Sequence, residues 1–227
     1  MPNQFENELA ALKEKLLIMA SQAEAAVNRA IKALLKRDDD LARRTKDDDR
    51  IIDQLEMDID EAAIKLLEQK PASLDLRLIT VAMKISHDLE RVGDEATTIS
   101  RRCLALSEEP PLTQHLDFPR MAGMALEMLK GSLDAFVHQA SAKARGIISR
   151  DKEVDALNKR LHGELALCMA QQPETITRCL NLMVVAKSIE RIADHATNIA
   201  EDVVYLYEGC DIRHGGRRED GGGGVTG

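Results

Sequence analysis

The chain of 227 residues carries a formal net charge of −8 with both signs interspersed, which excludes general nucleic-acid affinity and a basic membrane-binding surface. It has no Trp, two Tyr and three Phe, so Leu, Ile, Val, Ala and Met must fill its core, a composition suited to helices rather than sheets. No apolar run approaches the ~20 residues that span a bilayer, and the N-terminus has no signal-peptide pattern, so a cytoplasmic location is expected.

The first helix is predicted from about Asn3 to Lys36, where Leu9, Leu12, Leu16, Met19, Ala23, Val27, Ala30 and Leu34 form one apolar stripe at three- and four-residue spacing. The run Asp38-Asp39-Asp40 makes a charged turn and an N-cap for a second helix, which carries Ile52, Leu55, Ile59, Ala62 and Leu66 and stops at Pro71. A third helix follows at once with Ala82, Ile85, Leu89, Val92, Ala96, Ile99, Cys103 and Leu106, and ends in the linker Ser107-Glu108-Glu109-Pro110-Pro111. The pattern then repeats. A fourth helix starts near Phe118 and runs through Ala140, a fifth carries Val154, Leu157, Leu161, Leu165 and Cys168 to Pro173, and a sixth carries Leu182 through Leu206.

Met19-Ala20, Ile31, Ala33 and Pro71 match Met121-Ala122, Leu133, Ala135 and Pro173 at an offset of 102, and the third and sixth helices match at an offset of 100. The expected fold is therefore all-α: a tandem duplication of a three-helix bundle, with one unit over 1–107, a second over 112–208, and a disordered Gly-rich tail over 209–227. Cys103, Cys168, Cys179 and Cys210 form no CxxC unit and are expected as reduced thiols.

The stretch ERVGDEATTI (90–99) recurs as ERIADHATNI (190–199), with six of ten positions identical. Each copy sets a Glu and an Asp one helical turn apart, Glu90 with Asp94 and Glu190 with Asp194. Such pairs repel by roughly 0.2–0.5 kcal/mol unless something positive lies between them. The preceding helices carry matching pairs, Asp49 with Asp53 and Asp151 with Asp155. At about 1.5 Å rise per residue, all four pairs lie roughly 27 Å from their interhelical turns, so each unit brings four carboxylates level on an outer or lateral face. A hard cation is the natural occupant, with iron, manganese, magnesium, calcium and zinc left open. The alternative is a solvated acidic face beside Arg91 and Arg191. His87 reads as a surface histidine, while His195 has no histidine counterpart, because Glu95 stands at the matching position.

Two three-helix units with E/D-x-x-x-D pairs, the second ending in IERIADHATNIAEDVVYL (189–206), resemble the PhoU family of bacterial phosphate-uptake regulators. The resemblance covers about 4–208 and implies metal sites at Asp49/Asp53, Glu90/Asp94, Asp151/Asp155 and Glu190/Asp194. It further implies a negative regulator of phosphate uptake and of the Pho response. That regulator would link the ATPase subunit of the phosphate ABC transporter to a PhoR-like sensor histidine kinase. A homodimer held peripherally at the inner membrane through these partners is implied as well. The first copy departs from the family pattern at Glu95 and Thr98, which favours the second site. No P-loop, GxSxG, HExxH or kinase signature is present, so a non-enzymatic role is expected. A carboxylate-bridged metal-dependent enzyme and a metal-stabilised structural or storage protein are the alternatives.

Overall fold

The computed structural model describes residues 4–114 and 116–213, and the regular structure among them is helical. Three long helices, α1 (Gln4–Lys36), α2 (Asp39–Glu68) and α3 (Ser73–Ser107), form the first half. The second half comprises α4 (Phe118–Val137), the short α5 (Ser141–Ile148), α6 (Asp151–Gln171), a 3-10 turn at Pro173–Thr175 and α7 (Ile176–Glu208). The stripes read from the sequence are the buried faces: Leu12, Leu16, Met19 and Ala23 of α1, Ile85, Leu89, Val92 and Ala96 of α3, and Ile189, Ile192, Ala196 and Ile199 of α7 are all but inaccessible. Buried residues of both halves belong to one continuous apolar cluster.

Local chemistry sets the ends of the helices. Asp38 caps α2, its carboxylate accepting from the Leu41 amide at 2.9 Å, a contact whose loss typically costs about 1 kcal/mol. The α1–α2 turn places Arg37 at a φ of 55°, and its counterpart 102 residues on, Gln139, adopts the same 55°. In both turns the residue that follows bonds back to a helix carbonyl, Asp38 N to Ala33 O at 3.0 Å and Ala140 N to Ala135 O at 2.9 Å. The left-handed cap is thus duplicated without glycine. At the far end Gly209 takes a φ of 70° and closes α7 against the Tyr205 carbonyl.

One element departs from expectation. The stretch between the fourth and fifth predicted helices is not continuous with either: α4 stops at Val137, and the separate helix α5 precedes α6. In the first half the equivalent stretch is simply the first turns of α2. At the break, Ser149 Oγ donates to Gly146 O at 2.8 Å and Arg150 N bonds to Ile147 O at 2.9 Å. These short-range bonds replace the helical ladder. Asp151 therefore opens α6, whereas Asp49 lies in the body of α2.

The centre of the molecule is the pair α3 and α7. α3 packs on α1, α2 and α7, and α7 packs on α3, α4, α5 and α6. Cross-contacts run in opposite directions along the two helices: Lys84 reaches Asp202, Asp88 reaches His195, and Arg102 reaches Asn181. The pair is therefore antiparallel. This seam buries polar groups that a simple stripe would leave outside, including Asp88, Glu95 and Asp202. Of the expected tail, Ile212 packs against the core and Arg213 approaches Asp202 at 3.9 Å, while residues 214–227 lie outside the described residues. No helix among the described residues is long and apolar enough to cross a membrane.

Candidate metal centre

In the second half, α6 and α7 bring oxygen atoms of Asp155, Glu190 and Asp194 within 4.8 Å of one another. Asp151 completes the group, since its charge bears on Asp194 and it feels Asp155 and Glu190 in turn. Thr197 donates to Asp151 at 3.3 Å, and Lys187 bonds to Glu190 from one turn before it. Burial pushes the Asp194 carboxyl up to about 6, and the charges of Glu190 and Asp151 add to the rise. Asp151 rises for the same reason, burial first and then Asp155. These four carboxylates carry more negative charge than their neighbours neutralise, and a set of closely spaced oxygen donors suits a hard cation.

The first half is built differently from equivalent residues. Burial raises the Asp49 carboxyl, with Asp53 and Asp94 contributing repulsion. Burial likewise raises Glu90, followed by the charge of Asp94. The tightest trio here is not four carboxylates but Glu56, His87 and Glu90, whose ligand atoms lie within 4.8 Å of one another. His87 Nδ1 stands 3.2 Å from Glu56 Oε1. Arg91 lies over its own helix, with Nε 3.2 Å from Glu90 and a terminal nitrogen 3.0 Å from Asp94. The close approach of α2 and α3 depends on Gly93, where a Cβ would sit 3.0 Å from Ile52 Cδ1 and 3.2 Å from Asp49 Oδ1. The second copy carries Ala193 at the matching position.

All eight carboxylates named from the sequence thus lie on the two paired-helix faces, Asp53 and Asp155 exposed and the others more enclosed. Glu56 and His87 were not singled out as ligands. The signal was available, since Glu56 follows Asp53 by three residues and shares its helix face. The two sites are not remote from each other. A groove of 620 Å³ runs along the α3–α7 seam, with Asp94, Thr98 and Arg91 on one side and Asp194, Asn198 and Arg191 on the other. The two copies of the repeated motif face each other across it.

The PhoU domain family model matches residues 16–103 and again residues 118–203. The chain is 39% identical over 213 residues to a Pseudomonas aeruginosa protein named phosphate-specific transport system accessory protein PhoU homolog, covering 93% of this chain and 88% of that relative. A protein of the same name from Aquifex aeolicus is 38% identical over 215 residues, covering 94% and 97%. Among solved structures, PhoU from Pseudomonas aeruginosa superposes with a TM-score of 0.89 at 38% identity, covering 91% of this chain and all of that one. The phosphate transport system regulatory protein PhoU from Streptococcus pneumoniae gives 0.86 at 29% identity, covering 92% and 99%.

Proposed function

The chain belongs to the PhoU family, and from that premise we propose that it is a non-enzymatic negative regulator of phosphate uptake and of the phosphate-starvation response. In this reading it connects the ATPase subunit of the phosphate ABC transporter with a PhoR-like sensor histidine kinase. It acts as a homodimer in the cytoplasm and reaches the inner membrane only through those partners. The observation that carries the reading is the match of both halves to the family over nearly the whole chain, together with relatives whose names describe a phosphate-transport accessory or regulatory protein.

The acidic faces are read as hard-cation sites. Supporting this, Asp155, Glu190 and Asp194 converge with uncompensated negative charge, which an ion relieves. A bound ion would lie between α6 and α7, tying the two helices together beside the α3–α7 groove.

The experiment is a deletion in the source organism combined with a pull-down. At high phosphate, tagged protein is expected to retain the transporter ATPase and the kinase, and the deletion is expected to raise expression of phosphate-starvation genes. A deletion that leaves those genes repressed refutes the regulatory reading.

A further inference from the structure

The two copies of the repeated motif place equivalent arginines next to equivalent carboxylates, yet the arginines go to different partners. Arg91 covers its own site, at 3.2 Å from Glu90 and 3.0 Å from Asp94. Among the described residues, Arg191 forms no ion pair with Glu190 or Asp194. It reaches across the seam instead, with a terminal nitrogen 3.0 Å from Glu95 Oε1.

Two non-identities between the copies explain this. Glu95 is 9% exposed and belongs to α3, packed against α7. A carboxylate so enclosed demands a cation or hydrogen-bond donors, and its other oxygen has no hydrogen-bond partner. Arg191 answers that demand. At the matching position the second copy has His195, whose Nδ1 lies 2.8 Å from Asp88. That histidine offers Arg91 no negative charge, so Arg91 settles on Glu90 and Asp94. Nor does the second copy have an acidic equivalent of Asp88, since Ser188 stands there.

We infer that Glu95 is a positioning residue for the opposite half's cation site: by drawing Arg191 across the seam it leaves Asp194 and its neighbours open to an ion, whereas Arg91 competes with the ion at the first site. The inference rests on the metal reading given above. It makes the two sites unequal, the second loading first, and it places the control of one half's site in the other half's helix. Among the described residues Lys187, the counterpart of His87, is the one basic side chain paired with Glu190. Losing Glu95 would add Arg191 to it.

The test uses the full chain and Mn²⁺, followed by isothermal titration and by the electron paramagnetic resonance signal of the free ion. Each site is read in a background where the other is disabled, by Glu190→Gln with Asp194→Asn or by Glu90→Gln with Asp94→Asn. Arg91→Gln is expected to tighten the first site by about fivefold, the scale of one part-exposed ion pair. Arg191→Gln is expected to change the second site by less than about twofold on the same scale. Glu95→Gln is expected to weaken the second site by about fivefold, and adding Arg191→Gln to it restores the affinity. Because Arg91 and Arg191 are both surface side chains, the comparison between them survives even if Glu95→Gln does not fold. Equal responses to the two arginine substitutions overturn the inference, as does a Glu95→Gln defect that persists without Arg191. A wild-type chain that binds no Mn²⁺ at either site overturns the metal reading itself, a different result from binding with symmetric responses.

Discussion

Replacing Asp194 by Asn isolates the cost of packing carboxylates of α6 and α7 against one another. Burial and the charges of Glu190 and Asp151 lift its carboxyl from 3.8 to about 6. A rise of that size would correspond to about 3 kcal/mol against the folded state if the group were sealed from water. Asp194 is only half-buried, so solvent screening reduces this to about 1–1.5 kcal/mol. The sign follows from linkage. Below pH 3.8 the side chain is protonated both folded and unfolded and costs nothing. As pH rises to about 6 the unfolded chain ionises more readily, and the folded state loses stability until the full cost is present. Asn keeps the shape and never ionises. In chelator-treated protein at pH 7.5, Asp194→Asn should therefore raise Tm by about 2–6 °C, given about 2–4 °C per kcal/mol for a chain of this size. At pH 4 the difference should nearly vanish. Thermal unfolding followed by circular dichroism at the two pH values gives the comparison. Added Mn²⁺ should then stabilise the wild type more than the variant. Should the variant prove no more stable than wild type at pH 7.5, the account of Asp194 as a repelled carboxylate is wrong.

Four further outcomes are expected. Asp88→Ala removes a buried carboxylate that accepts from His195 at 2.8 Å and Asn198 at 3.1 Å, and urea denaturation should show a loss of about 2–3 kcal/mol. Gly93→Val should destabilise by about 1–3 kcal/mol through overpacking against Ile52. In contrast, Gly123→Ala, whose Cβ meets nothing within 4 Å, should stabilise by about 0.5–1 kcal/mol in the same assay. Native protein should present one rapidly reacting thiol to an aromatic disulfide reagent at pH 8. Cys210 is exposed, Cys103, Cys168 and Cys179 are buried, and burial pushes the Cys103 thiol up to about 11. Denaturant should release all four.

Much of the architecture was legible because helical periodicity is a local property. A stripe at three- and four-residue spacing must be buried somewhere, so the buried faces of α1, α2, α3, α4, α6 and α7 followed from residue order alone. The duplication was equally plain, since Pro71 and Pro173 bound equivalent hairpins and fix the relative heights of the acidic pairs. That is why the convergence of Asp155, Glu190 and Asp194 could be expected from spacing. The separate α5 was not legible. The residues at 147–150 carry no Pro, and the break rests on short-range bonds from Ser149 and Arg150.

What the tertiary structure alone decided is how the two halves meet. Two stripes of equal quality, on α3 and α7, do not say that their helices will cross as an antiparallel central pair. Only that crossing sets Asp88 against His195 and Glu95 against Arg191, residues about a hundred positions apart. Charge pairing depends on separation in space and on burial, and neither is written in local sequence. The repeated motif therefore determined where the carboxylates stand. The packing of one copy against the other determined which of them a neighbouring arginine neutralises.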